Sequence, residues 1–476
     1  MDGLRVHNTL NLIDSFNHPN GDPRGYVFIG KTTPWDNDRV PPVPQNNVED
    51  IVKTYDEMLS LKRIMPEDAY PLIRRNRWAS NIVYDYYRDD ITSENPSFSG
   101  AKSLKDSFHV VINSQKDIYI CLDNNNNTQS LEEPLSRVLD PFYTSDGYQW
   151  LLLYSLNTIT YTNYTTDNYL PVVPTYEARV EGEINTVIIK SPGTDYTDFP
   201  EGVASRVRAY YCKIQGDGQD AVAKVYVDNT VISRVVVVRQ GRNYNHAFLD
   251  FSKGKVYKSL YDLDNGTNGL DPEGKSNFVS KVIISPASGW RYNLAHQLVS
   301  TDVGVFAQLA FDTDDFVSDI DYRQIGILQD PIINLPDDWD TLSAMYSVKA
   351  IDTGDGSFRL GEEITQVTPD GIAKGTVTYY NPEEEILHYY QNYTTHNVDG
   401  VLTEFKGTEY IIGSVSNVRV FSDTSYSGKY DSVTYVQGYA QPEFIRYSGI
   451  IIYLSNIQPI RREGNRAEKV VIIINF

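Results

Sequence analysis

Apolar positions near the start of the chain recur first at helical spacing and then without a break. Leu10, Ile13 and Phe16 predict a short helix that the cluster "NHPNGDP" ends, and residues 26–29 (Tyr26, Val27, Phe28, Ile29) predict a strand. After a proline arm, "RVPPVP" (39–44), Asn47 stands where an N-cap is wanted. Val48, Ile51, Val52, Tyr55, Met58 and Leu59 then follow at helical spacing, which predicts an amphipathic helix ending near Ile64. Residues 66–78 read as a helical turn broken by Pro71. From about Asp106 the period changes: "FHVVINS" and "DIYICLD" are strand-like runs. "DGYQWLLLYSL" (146–156) reads as a turn entering a strand or short helix buried on both faces.

Between residues 175 and 250 the pattern repeats itself. "INTVIIKSPGTDY" from Ile184 and "ISRVVVVRQGRNY" from Ile232 each place Gly nine residues on (Gly193, Gly241) and Tyr twelve on (Tyr196, Tyr244). Two copies are fewer than a solenoid needs, so the segment reads as a small duplicated β module, with a hairpin at Asp228-Asn229. Residues 311–323 alternate apolar and acidic positions, as a half-exposed strand would. Short runs between 345 and 440, spaced by about ten residues and punctuated by Gly, Asp and Asn, suit a small barrel or sandwich. The closing residues 470–476 read as a buried strand. The fold class expected from the pattern is mainly β with a few helices (α+β), in several domains.

Composition narrows the chemistry. Lys plus Arg is 42 against Asp plus Glu 63, a net charge of −21 over 476 residues, which disfavours nucleic acid as a partner. Two cysteines, Cys121 and Cys212, point to a chain folded in a reducing cytosol without export. No apolar run approaches the roughly 18 residues that span a bilayer, so no membrane partner is expected. The 36 Tyr fit strands and wet interfaces alike.

Residues 25–32, "GYVFIGKT", satisfy the phosphate-loop pattern G-x-x-x-x-G-K-[ST]. Their four middle residues are bulky strand formers, and the prolines that follow forbid the helix a phosphate would need. Asp262, Asp264 and Glu273 fall at positions 1, 3 and 12 of a calcium-loop count, but Gly266 and Thr267 occupy positions 5 and 6 where an oxygen ligand and a Gly are wanted. Paired carboxylates at 383–385 or at 312, 314 and 315 leave a glycosidase open, although adjacency in sequence does not favour one. Neither a catalytic residue nor a cofactor or metal site is expected. The candidate partner-binding residues are Trp35 and the cationic trio Arg74, Arg75 and Arg77 beside Trp78, with a solvated or locally paired trio as the competing reading.

"YVFIGKTTPWDND", the "VPPVP" arm, the capped helix, "LIRRNRW", "IYICLD", "DGYQWLLLYSL", "YRQIGILQDPI" and "RYSGIIIYLSNIQPI" with "VVIIINF" occur in a telling order. As an ordered set they resemble the baseplate wedge subunits of T-even-like contractile-tailed bacteriophages, in particular the gene product eight family. The likeness covers roughly residues 1–155, 320–335 and the last 35. It implies a non-enzymatic structural protein of the virion tail, assembled in the host cytoplasm, a homodimer that bridges neighbouring wedge proteins with no small-molecule substrate. It also implies a discontinuous core from 1–100, 300–340 and 440–476, a β domain at 101–175, and inserted modules at 176–299 and 341–439. A receptor- or glycan-binding tail protein is the rival reading, and an NTPase or glycosidase a third.

Overall fold

The structure is a computed structural model that describes residues 2–16, 25–175, 181–194, 196, 207–228, 230–251, 255–270, 277–286, 289–309, 320–334, 340–352, 356–430, 433–463 and 467–476. It is mostly β, with 44% of residues in strands and 10% in helices. The chain divides into two compact units, one of Met1–Thr9, Tyr70–Val303 and Ile474–Phe476, the other of Leu10–Ala69 and Gly304–Ile473.

In the second unit a five-stranded sheet runs in the order Thr341–Ser343, Met58–Arg63, Gly25–Gly30, Ile320–Gln329, Ile450–Arg462. Segments distant in sequence thus share one discontinuous core, centred on Tyr26, Phe28, Met58, Leu61, Leu328 and Phe444. Gly25–Gly30 is buried at all six positions, as its unbroken apolar run predicts. Phe28 pairs with Gly326. A Cβ at 326 would lie 2.3 Å from Phe28 Cζ and 2.6 Å from the Tyr453 carbonyl oxygen, so only glycine lets the ring lie there.

The helix capped by Asn47 spans Val48–Asp56 and stops well short of Ile64. Met58, Leu59 and Leu61 are fully buried, and Met58–Arg63 is a strand paired with Gly25–Gly30. Ladder pairing with both faces covered overrides the helical spacing there. The predicted turn at 66–78 shrinks to a single 3₁₀ turn at Pro66–Asp68, and Ala69–Arg74 is a strand that accommodates Pro71. The C-terminal strand Glu468–Asn475 is buried on one face only: Val470 and Ile472 are covered while Val471 is 36% exposed. Its neighbour is the strand Asp302–Leu309.

Residues 346–422 form a closed barrel of six strands: Tyr346–Asp352, Glu363–Thr368, Gly371–Asn381, Ile386–Tyr390, Ile411–Gly413 and Arg419–Ser422. The ring closes where Tyr346 pairs with Tyr389 and Lys349 with Ile386. Val348, Ile364, Val377, Leu387, Ile411 and Val420 fill it. The two ends of the segment that carries the barrel meet, since the Glu443 N–H donates to the Ser343 carbonyl (3.0 Å) and the Ser343 N–H to Glu443 Oε2 (2.7 Å).

In the first unit Val110–Ile112, Asp117–Asp123, Gln149–Ser155 and Phe142–Tyr143 form a four-stranded sheet. Residues 149–155 are therefore a strand, and fully buried Trp150 stacks on Tyr148 with centroids 5.6 Å apart. The repeat is also present in three dimensions. Ile184–Pro192 and Val231–Arg239 are both strands, Gly193 and Gly241 both have φ of 66°, and Tyr196 and Tyr244 are both buried. The hairpin Val222–Asp228/Val231–Arg239 lies where the sequence puts it, and Asn229 lies outside the described residues. Of the acidic run 311–323, residues 311–319 also lie outside them.

Candidate partner-binding surface

The phosphate-loop pattern lies within the middle of a sheet. The N–H groups of Gly25–Gly30 belong to ladders on both sides, so the backbone offers no anion nest. Lys31, at φ 60°, turns the chain out of the strand. Its Nζ donates to Glu57 Oε1 (3.0 Å), Glu57 Oε2 (3.2 Å) and Thr33 Oγ1 (3.1 Å), and sits 4.4 Å from the centroid of the Trp35 ring. MgATP titrated by calorimetry at millimolar concentration is expected to give no binding heat. A saturable signal lost in Lys31→Ala would restore the phosphate reading.

Past Thr33 the chain forms an arm fastened at several points. Arg323, 5% exposed, donates from Nε to Asp38 Oδ1 (2.9 Å), from Nη2 to Asp38 Oδ2 (2.9 Å) and from Nη1 to the Thr32 carbonyl (2.7 Å). This two-pronged fork is the strong form of a carboxylate contact, and it holds the Asp38 carboxyl below its ordinary value. The Trp35 indole N–H donates to the Ile457 carbonyl (3.2 Å). Asn456 Nδ2 donates to the Pro42 carbonyl (2.8 Å) and Gln458 Nε2 to the Arg39 carbonyl (3.0 Å). Pro41, Pro42 and Pro44 stiffen the span between these points. Among its exposed side chains, which also include Asp36, Asn37, Arg39 and Gln45, three are large and apolar: Val40 is 70% exposed, Val43 75% and Val48, just past the arm, 78%.

The arm is fastened to Ile450–Arg462, a 13-residue strand at the end of the sheet order, where Ile450 is 65% and Ile460 42% exposed. A long apolar edge of this kind invites another chain. Pro459 falls where the register with Ile320–Gln329 shifts, a position that tolerates a missing N–H. Between the arm, the Val48–Asp56 helix and the last two strands lies a cavity of about 470 Å³, lined among others by Trp35, Pro44, Glu57, Gln324 and Leu454.

The cationic trio belongs to the other unit, and two of its three members are locally paired. Arg74 bridges Asp106 (3.0 Å). Arg75 donates to the Thr166 carbonyl (2.8 Å) and lies 5.5 Å from the Tyr161 ring centroid. The Trp78 indole N–H donates to Ser130 Oγ (3.2 Å) and its ring packs on the Trp150 cluster, while Arg77 stays exposed. The trio thus forms no single cluster, and Trp35 belongs to the unit that carries the arm.

The remaining candidates have structural partners. The Asp262 carboxylate accepts from Ser259 Oγ (2.6 Å) and Asn268 Nδ2 (2.9 Å) at the start of the helix Leu260–Asn265, and Glu273 lies outside the described residues. Among the described residues no group of three or more His, Cys, Asp or Glu is placed to hold a metal ion. Burial pushes the Cys121 thiol well up and that of Cys212 to about 12, as inert core thiols behave. The Glu383 and Glu384 N–H groups cap a turn on Asn381 Oδ1. Arg323, Gln324, Asn456 and Gln458 escaped the sequence reading; their one signal is a polar residue interrupting an apolar strand, in "YRQIGIL" and "YLSNIQ".

No protein-family model matches the chain, and no curated protein matches it in sequence.

Proposed function

We propose that the chain is a non-enzymatic structural subunit of a contractile phage tail baseplate wedge, dimerising and bridging neighbouring wedge proteins in the virion. The ordered sequence likeness supports this reading. The observation that carries it is the fastened arm: Val40 and Val43, beside the cavity, are largely exposed on a backbone that Arg323, Trp35, Asn456 and Gln458 already hold in place. An apolar surface that is rigid before contact loses little entropy on binding, the property a permanent interface needs.

Light scattering at micromolar concentration is expected to give a dimer, whose interface should bury more than about 1,000 Å². Co-expression with the other wedge proteins is expected to yield a joint complex. Val40→Asp with Val43→Asp should weaken that complex while leaving the melting temperature unchanged. A monomer that co-purifies with none of them would sink the reading, and binding to a glycan array would favour the receptor-binding alternative.

A further inference from the structure

Asn-Gly steps occur in the chain at Asn20, Asn265 and Asn268, and the first lies outside the described residues. A glycine after asparagine leaves its own nitrogen unhindered, since no Cβ stands beside it. That nitrogen can attack the carbon of the asparagine's side-chain amide. The other two steps lie close together in the acidic run that mimics a calcium loop, and the fold treats them differently.

Asn265 closes the helix Leu260–Asn265, and its Nδ2 donates to the Tyr261 carbonyl (2.8 Å). Gly266 is the left-handed cap of that helix (φ 62°), and its N–H donates to the Asp262 and Leu263 carbonyls. A nitrogen engaged in this way must break those bonds before it can turn on Cγ. Asn268 stands exposed beyond the helix, at φ 52° and in no helix or strand. The Gly269 N–H donates to no acceptor among the described residues. Asn268 Nδ2 donates to Asp262 Oδ1 (2.9 Å), which also accepts from Thr267 Oγ1 (3.2 Å). Asp262 belongs to the helix cap, where its N–H donates to Ser259 Oγ (3.1 Å).

We propose that Asn268 is a self-modifying site, whose side-chain amide the backbone of Gly269 converts to a carboxylate with water as the co-reactant. A base from solvent takes the Gly269 N–H proton and the nitrogen bonds to Asn268 Cγ. The Cγ–Nδ2 bond breaks as Nδ2 takes a proton and leaves as ammonia. Water then opens the succinimide at one carbonyl to give aspartate, or at the other to give isoaspartate. Water enters, ammonia leaves, and nothing is oxidised or reduced. The product carries a carboxylate where Nδ2 met Asp262, so a donor becomes a like charge. Loss of that contact loosens the cap of Leu260–Asn265. Asp264 on this helix accepts a fork from Arg239 in the second strand of the repeat, Nη1 to Oδ1 (2.6 Å) and Nη2 to Oδ2 (2.5 Å), so the loosening reaches the β module. The step needs no partner and stands apart from the wedge reading.

The test keeps the whole chain at mildly alkaline pH in water enriched in heavy oxygen, then digests timed samples for mass spectrometry. Asn268 is expected to convert first, taking up solvent oxygen, at least about tenfold faster than Asn265, the scale of the hydrogen bonds that must open at Gly266. In urea, where the helix no longer holds Gly266, the two rates should converge. Asn268→Asp, at an exposed position, should speed hydrogen exchange of the amides of residues 262–267 by about threefold, the scale of one exposed hydrogen bond replaced by a like-charge contact. An Asn268 that stays unconverted, an Asn265 that converts as fast in the folded chain, a rate ratio that urea leaves unchanged, or unchanged exchange in Asn268→Asp overturns the proposal.

Discussion

Lowering the pH from 7 to 4 is expected to destabilise both units steeply. His109 in the first unit and His396 in the second are buried, and loss of solvent holds each imidazole down at about 4 against an ordinary 6.5. Asn392 N donates to His396 Nδ1 (3.0 Å), and His109 packs beside Ser107 and the Tyr87 ring, contacts that suit neutral rings. Because the folded value lies below the unfolded one, this contribution is complete above pH 6.5 and is lost as pH falls from 6.5 towards 4. The gap corresponds to roughly 3 kcal/mol per histidine, a large share of the 5–15 kcal/mol that holds a typical domain. Asp56 and Glu443 act in the opposite sense: burial raises both carboxyls, so their contribution is present at low pH and lost as pH rises. The urea midpoint should therefore drop between pH 7 and pH 4.5, and His109→Phe with His396→Gln should flatten the drop. A midpoint independent of pH over that range would contradict the assignment.

Arg323→Met is expected to free the arm. The substitution removes the fork to Asp38 and the bond to the Thr32 carbonyl together, leaving only the single bonds of Trp35, Asn456 and Gln458 among the contacts described above. Arg39 lies on the arm, so trypsin supplies the readout. Cleavage after Arg39 should speed up by about tenfold, the scale of losing charge-assisted hydrogen bonds, while the barrel core stays resistant. Arg323→Lys should not rescue it, because an ammonium cannot reproduce the two-pronged contact. Equal cleavage rates in wild type and Arg323→Met would show that the prolines and the Trp35, Asn456 and Gln458 bonds hold the arm without the fork.

How much of this was legible in advance depends on the range of the interactions. Local chemistry was readable: the buried run 25–30, the Asn47 cap, the repeat with its two glycines at φ 66° and two buried tyrosines, and the short evenly spaced strands of the barrel. The helix end was misplaced because Met58 and Leu59 continue a helical spacing by coincidence, and only the partner strand reveals that they pair. Closure of the barrel through Tyr346 and Tyr389 was invisible, since spacing alone does not distinguish a ring from a sandwich. The arm's fastening was the least legible part. Asp38 and Arg323 stand 285 residues apart, and no period or motif connects them.

Ser343 and Glu443 meet backbone to backbone, and everything from Tyr346 to Ala440 leaves and returns through that single doorway. A segment attached in this way is a cassette. Its length can grow or shrink with little displacement of the sheet beneath, provided the ring still closes and Asn392 still reaches Asp56 (2.8 Å). Variation in size among related chains should therefore gather in this ring, and the five-stranded sheet should be the part that lineages keep.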